Sequence, residues 1–597
     1  MSVVPEPPTQ VGAAIPAHTP HAVSVMFPKW QDNIYYEEGN PIVTAKMECG
    51  YPRFFIHPLI QQLCARLLAK FGQPTEDGML FPSRKVAERC RDFMKRYYEP
   101  AHSHSGLLRI AEFDITPADA SSELQPVRTY ILLFPKDAFK VAKQYWQHAG
   151  DNISSRMAEY CLRILDENQR IEKEKEALLK RPKGNRRYQS AAPSAAPTPK
   201  KEDSCEAEHL VYVEERYGRN LPIQFADRAK RALRRRIAGV ITEAEEENML
   251  ADKATQSDLK EQRNLQGDRG IKGIAEDDVY LFPCGMSAIY HAHRYAMTIG
   301  NADLKSVCFG FPYTDTLKIL QKFGAGCHFY GLGEDQQIDE LEALLQSGDR
   351  ILSLFCELPS NPLLKSPNMR RLRALADQYD FLIVVDETIG NFCNVAALEW
   401  ADMVVSSLTK VFSGDSNVMG GSMVLNPNRK HYHSIKSAIE ADFEDLIWCE
   451  DAIFMERNSR TFKARSNIIN ENAEALCDFL VNHPKVQSVY YPKFVSRENY
   501  DAVKNVNGGG YGGLFSVVLQ HENAASQFYD NLHCAKGPSL GTNFTLASPY
   551  TILAHYTELD WAAQFGVPRH LVRVSVGLEE RDRLLKMFKD ALDAVEA

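Results

Sequence analysis

A chain of 597 residues is too long to close around one hydrophobic core, so about two to four domains are expected. With 69 Lys and Arg against 78 Asp and Glu the net charge is -9, which excludes a general basic field for nucleic acid, and 44% hydrophobic and 25% charged residues are ordinary for a soluble protein. No run of about 20 apolar residues exists to span a bilayer. The opening MSVVPEPPTQVGAAIPAHTP lacks the basic and apolar regions of a secretory signal and the Arg enrichment of a transit peptide. The 13 cysteines contain no CxxC pair, which points to reduced thiols rather than a disulfide framework or a zinc site. A cytoplasmic protein is expected, with no membrane and no nucleic-acid partner.

Residues 1–22 are rich in Pro and Ala and predict a disordered tail. An N-terminal α+β extension follows over 23–169, in which LLRIAEFDI and VRTYILLFP read as strands and Ile153, Met157, Tyr160 and Ile164 share one helix face. A charged run and then an Ala/Pro/Ser-rich stretch mark a linker over 170–208.

From 209 to 425 strands and helices alternate. VYLFP, SVCFGF, ILSLF, FLIVVD and MVVSS are short apolar runs without strict alternation, as strands buried on both faces require. MSAIYHAHRYAM, TDTLKILQKFG and NMRRLRALADQYD carry helical periodicity between them. The order predicts a mostly parallel α/β sheet, in which ligands sit at the carboxyl ends of the strands. Glu357, Asp386 and Lys410 fall at or just beyond such ends. Residues 426–597 read as a smaller α+β domain, with Ile469, Ala473, Leu476 and Leu480 on a helix face and VQSVYY, GLFSVVL and LVRVSVGL as strands. The basic helix RAKRALRRRIAG has no interleaved aromatics and is expected on a solvated or subunit-facing surface. His102 and His104, like His291 and His293, are two apart rather than at the i, i+4 spacing of helical metal ligands, so no metal is expected.

Lys410 alone would read as a structural or solvated lysine. It ends an apolar, β-branched run ahead of a loop of small residues, and its surroundings meet the demands of pyridoxal phosphate. Such a site needs an amine for a Schiff base, an acid at the ring nitrogen, donors for the phosphate and an aromatic cover. Asp386 ends its own apolar run, where a carboxylate needs a cationic partner. Gly285 and Met286 start a helix whose free N–H groups and positive dipole end favour a phosphate. Ser407 and Thr409 flank the lysine with hydroxyls, and Tyr313 sits after a strand, at the mouth.

The ordered set CGMSAI, YTDT, ELPSNPLL, VVDETIGNF, SSLTKVFSG, SLGTNFTL and LVRVSVGLEE resembles the cystathionine γ-synthase branch of the Cys/Met-metabolism PLP enzymes over roughly residues 205–597. HAVSVMFPKWQDNIYYEEG and GYPRFFIHP resemble the extension of its fungal members. The resemblance implies an aspartate-aminotransferase-like fold of type I and pyridoxal 5'-phosphate as cofactor. It implies Lys410 as Schiff-base lysine and proton shuttle, Asp386 as pyridinium partner and Tyr313 as stacking ring. Gly285, Met286, Ser407 and Thr409 would hold the phosphate, helped by Tyr217 and Arg219 donated from a neighbouring subunit, hence a homodimer or homotetramer. Asn361 would contact the cofactor's phenolic oxygen, Arg573 the substrate α-carboxylate, and Ser539 opens the active-site SLG turn. The implied reaction is γ-replacement on an O-acylhomoserine by cysteine, giving cystathionine for methionine synthesis. The same chemistry with another sulfur or carbon nucleophile, or γ- or β-elimination, remains open. Two departures stand out: Glu387 where many relatives have Asn, and Phe544 where relatives carry a substrate-selecting Glu.

Overall fold

The computed structural model describes residues 4–179, 225–240 and 255–596, apart from single positions 5, 53, 104, 120, 121, 123 and 266. Near the N-terminus β1 (Ala14–Ile15) pairs antiparallel with β2 (Ser24–Val25). This is a correction to the disordered tail expected over 1–22: in the described part Ala14, Ile15 and Ala22 are buried. The physical reason lies more than 515 residues downstream in sequence, where Phe544 and Leu546 offer an apolar surface that Ile15 and Met26 cover.

The extension comprises α1 (Pro58–Phe71), β3 (Glu76–Phe81), α2 (Arg84–Tyr97), β4 (Arg109–Ile115), β5 (Val127–Pro135), α3 (Phe139–Ala149) and α4 (Ser155–Leu179). Its three strands form one antiparallel sheet, in the order β3-β5-β4. In α2 the Ser83 hydroxyl accepts the Val86 N–H at 3.3 Å as an N-cap, and Val86, Cys90, Phe93 and Met94 bury one stripe at helical spacing. α4 runs past the expected linker start at 170, to Leu179. The rest of the linker, and Tyr217 and Arg219 of the expected clamp, lie outside the described residues.

The basic segment forms α5 (Ala226–Ala238), followed by β6 (Val279–Phe282), α6 (Gly285–Ile299), β7 (Ser306–Phe309), α7 (Thr314–Lys322), β8 (Cys327–Tyr330), β9 (Ser353–Glu357), α8 (Met369–Tyr379), β10 (Leu382–Asp386), β11 (Met403–Ser407) and β12 (Gly421–Leu425). The seven strands lie in the order β6-β12-β11-β10-β9-β7-β8. All run parallel except β12, which is antiparallel to both neighbours. Register sets Asp386 beside Glu357 at the carboxyl ends of β10 and β9.

α5 is not the solvated surface its charge suggested. Arg231 and Arg236 are buried, because Arg231 meets Glu276 at 3.0 Å and Asp258 at 3.1 Å, and Arg236 meets Glu456 at 3.2 Å. Nor does the small domain begin at 426. Helices α9 (Tyr432–Asp442) and α10 (Cys449–Ser459) bury Ile435, Ile439, Ala452 and Met455 in the two cores that flank the seven-stranded sheet. α11 (Phe462–Val481) bridges the two parts, with Phe462 in a core of the seven-stranded sheet and Ala473, Leu476 and Leu480 in the core of a second sheet, which is formed by β13 (Val486–Tyr490), β14 (Leu514–Leu519), β15 (Ala535–Lys536), β16 (Leu546–Pro549) and β17 (Val572–Ser575) before the final α12 (Arg581–Asp593). No helix among the described residues is long and apolar enough to cross a membrane.

Candidate active site

One cleft opens over the carboxyl ends of β9, β10 and β11, and Lys410, Asp386, Tyr313, Gly285, Met286, Ser407, Thr409, Asn361 and Arg573 all line it. Residues up to 288 positions apart, from Gly285 to Arg573, therefore meet in one place. Lys410 is 7% exposed, and its Nζ donates to the Ser539 Oγ at 3.0 Å. Arg573, held at the centre of the small sheet on β17, donates from Nη2 to the Ser539 carbonyl at 2.9 Å and from Nη1 to the Asn361 Oδ1 at 3.2 Å. Its guanidinium also lies 4.9 Å from the centroid of the Tyr550 ring. Ser539 thus stands between the amine and the guanidinium, and a substrate carboxylate on Arg573 would bring its α-carbon toward Lys410.

The floor of the cleft is acidic. Burial raises the Asp386 carboxyl above the ordinary carboxylate range, and the Thr388 N–H, which donates to its Oδ1 at 2.8 Å, only partly offsets this. Glu357 is raised as well, first by burial and then by the neighbouring Asp386. The Tyr313 N–H donates to one Glu357 oxygen and the Asn361 N–H to the other, the latter at 2.9 Å, so Glu357 anchors the two loops that carry Tyr313 and Asn361. A cation at the cleft floor, such as a protonated ring nitrogen, would relieve the crowding of these two carboxyls.

The opposite end of the cleft suits an anion. α6 begins at Gly285 with no side-chain cap, which leaves its first N–H groups facing the cleft. A Cβ on Gly285 would come within 2.7 Å of the Ser407 Cβ, so only glycine lets the helix start approach so closely. The Ser407 N–H donates to Thr388 Oγ1 at 2.8 Å, and the Thr409 Oγ1 accepts the Gly420 N–H at 3.2 Å. Thr409 therefore stiffens the lysine loop as well as lining the cleft.

The two departures from the family pattern have structural answers. Glu387 points away from the cleft, fully buried, and its Oε1 accepts from Arg269 Nη2 at 2.5 Å; burial pushes its carboxyl up to about 7 against the pull of that arginine. Phe544 faces the N-terminal hairpin in a cluster with Ile15, Met26, Ala535 and Leu546, not the cleft.

Sequence reasoning missed three contributors. Thr388, two residues beyond Asp386, was within reach of a local reading. Tyr51 and Asp151 were not, because both belong to the extension. Tyr51 lies with its ring centroid 4.4 Å from Lys410 Nζ. Asp151, buried beside the start of α6, accepts from Ser287 Oγ and from His291 Nε2, the latter at 2.9 Å. His293, on the same helix, is buried near Phe355, and burial lowers its pKa to about 4. Among the described residues no group of three His, Cys, Asp or Glu side chains could hold a metal.

An amine, a carboxylate floor and an uncapped helix start that excludes a side chain at Gly285 are the donor set that pyridoxal phosphate requires. Comparison with known proteins agrees with this fit. Residues 272–593 match the family of Cys/Met metabolism PLP-dependent enzymes, and residues 59–154 match the N-terminal domain of fungal trans-sulfuration enzymes. The chain is 47% identical to a cystathionine gamma-synthase of Neurospora crassa, covering 99% of each chain. It is 44% identical to the cystathionine gamma-synthase-like enzyme iboG2 of Amanita muscaria, covering 98% of this chain and 96% of that one. It is 31% identical to the alanine racemase ungC of Aspergillus violaceofuscus, covering 96% of this chain and 95% of that one. The chain belongs to the Cys/Met metabolism PLP-dependent enzymes, in the cystathionine gamma-synthase branch, and its cofactor is pyridoxal 5'-phosphate.

Proposed function

We propose that this enzyme catalyses γ-replacement on an O-acylhomoserine, with L-cysteine as the incoming thiol and L-cystathionine as product. The observation that carries the reading is the convergence on Ser539 of Lys410 Nζ at 3.0 Å and Arg573 Nη2 at 2.9 Å, which sets a carboxylate-binding guanidinium one residue from the amine. When bound, pyridoxal phosphate supplies an electron-withdrawing ring that acidifies the α-hydrogen of the amino acid attached to it.

The residues of this chain do the rest. Lys410 holds the cofactor and, once its amine is displaced by the substrate, moves protons at Nζ between the substrate's α- and β-carbons. Arg573 grips the α-carboxylate through paired N–H donors, and Asn361 fixes Arg573 from the side. Asp386 stabilises positive charge at the ring nitrogen, and Tyr313 covers the ring. Gly285, Met286, Ser407 and Thr409 hold the phosphate, joined by Tyr217 and Arg219 of a neighbouring subunit in a homodimer or homotetramer.

A second reading keeps this machinery and changes the nucleophile. It is favoured by the relatedness to iboG2, a cystathionine gamma-synthase-like enzyme. Mass spectrometry of the products formed from O-acetyl- and O-succinylhomoserine with cysteine separates the two. Rapid cystathionine formation supports the first reading. Only 2-oxobutyrate and ammonia would overturn it in favour of elimination, or of another nucleophile.

A further inference from the structure

The extension and the start of the catalytic domain share two short sequence echoes. Tyr51-Pro-Arg53 precedes α1, β3 ends in Leu80-Phe81-Pro82-Ser83, and α2 follows. In the catalytic domain Tyr217-Gly-Arg219 precedes α5, β6 ends in Leu281-Phe282-Pro283-Cys284, and α6 follows. In both runs the strand that ends at Leu-Phe is followed by a proline and then a helix, although in the catalytic domain a further helix over Gln256–Asn264 separates α5 from β6. They differ at the position that matters for an anion: Gly285 of the second run is Arg84 in the first, whose side chain is tied to Glu88 at 3.1 Å. The first run has no glycine at its helix start to admit a phosphate, but it keeps its tyrosine.

That tyrosine does not sit idle on the extension. Tyr51 lines the cleft beside Pro52 and Phe54, and its ring face covers Lys410 Nζ at 4.4 Å from the centroid. An aromatic face at this distance attracts an ammonium and excludes water from one side of it. The contact is made within one chain. The extension is fixed in this position by a shared core: Phe93 stacks on Phe323 at 4.9 Å, and Tyr145 meets Tyr290 edge-on at 6.2 Å. We propose that Tyr51 is an active-site residue that each chain supplies to its own Lys410, holding and shielding the amine; the inference rests on the reading of Lys410 as the cofactor lysine.

The test uses full-length Tyr51→Leu and Tyr51→Phe. Leu keeps apolar bulk but removes the ring face, whereas Phe keeps it. Two readouts are compared: kcat/KM on the productive substrate pair, and the rate at which pyridoxal phosphate attaches to Lys410 of the apo-protein, followed by absorbance. Tyr51→Leu should lower both by roughly 5- to 30-fold, and Tyr51→Phe should restore both, with thermal midpoints unchanged in either. Because cofactor attachment needs no substrate, a failure of the O-acylhomoserine assignment does not obscure this result.

Co-expression of Tyr51→Leu with Lys410→Ala chains, purified through two different tags, separates cis from trans. Supply in cis predicts no recovery in mixed assemblies, since one site lacks the lysine and the other the tyrosine. If chains never pair, only the cis geometry exists and Tyr51→Leu alone decides. Recovery toward half of the native activity, or a Tyr51→Leu protein indistinguishable from native in both readouts, overturns the proposal.

Discussion

Arg269→Met tests whether a charge pair beneath the cofactor floor holds β10 in place. Arg269 and Glu387 are both buried, the pair spans 2.5 Å, and the guanidinium also lies 4.7 Å from the centroid of the Phe392 ring. Methionine fills similar space without charge, so the change leaves a buried carboxylate alone, for which about 3–5 kcal/mol of lost stability is expected when that carboxylate is ionised. The sign of the pH dependence follows from the raised pKa. Glu387 titrates near 7 in the folded protein against an ordinary 4.5, so the stability it contributes is fully present at low pH and is lost as pH rises through about 7. Without Arg269 the carboxyl keeps its proton to higher pH. The variant's deficit then grows by about 1.4 kcal/mol for each pH unit between 7 and its new pKa. Urea midpoints of native and variant protein at about pH 6 and about pH 8 measure this. The gap should be about 1.4 kcal/mol wider at the higher pH than at the lower, and Arg269→Met with Glu387→Leu should recover much of that added loss. An equal deficit at both pH values, or a double variant no better than the single one, would refute the reasoning.

Gly285→Ala puts a methyl 2.7 Å from the Ser407 Cβ and 3.0 Å from its Cα, so cofactor affinity measured by absorbance titration should fall roughly tenfold or more; unchanged affinity would mean that the helix start does not hold the phosphate. Burial raises the Asp151 carboxyl, but His291 and Ser287 more than offset it, leaving a net depressed pKa whose stabilising effect is present above the ordinary carboxylate range and lost as pH falls through the depressed value. Asp151→Asn should therefore lower the neutral-pH unfolding midpoint and flatten its decline in acid, and a decline as steep as the native one would contradict the assignment. Lys410→Ala should abolish turnover while leaving the urea midpoint of the apo-protein close to native; residual turnover above background would sink the mechanism.

The seven-stranded sheet was largely legible because buried parallel strands write themselves as apolar runs, and β6, β7, β9, β10 and β11 lie where those runs stand. β12 was not read, since Gly421 and Ser422 dilute its apolar signal and its antiparallel direction follows from no periodicity. The lysine loop, Asp386 and Arg573 could be found because each carries a local pattern on an element end. Tyr51 and Asp151 could not. Nothing in their own stretches points to the cleft, and their meaning comes from Lys410, Ser287 and His291, which lie 136 or more positions away. The same distance explains the N-terminal hairpin: Ala14 and Ile15 look like a Pro/Ala-rich tail until Phe544 and Leu546 are placed against them.

The shared core between the extension and the large domain has a consequence for synthesis. At Gly150, with φ at 71°, a Cβ would come within 2.8 Å of the Ser287 backbone nitrogen and 2.9 Å of the Met286 side chain, so the two parts meet without spare room. The ribosome delivers α2 and α3 well before α6 and α7, the helices that cover their apolar faces. Until roughly residue 325 has emerged, Phe93 and Tyr145 have each other and Phe81 but lack Tyr290 and Phe323, so part of their apolar surface stays open and the nascent extension is a natural client for a chaperone that holds apolar surface.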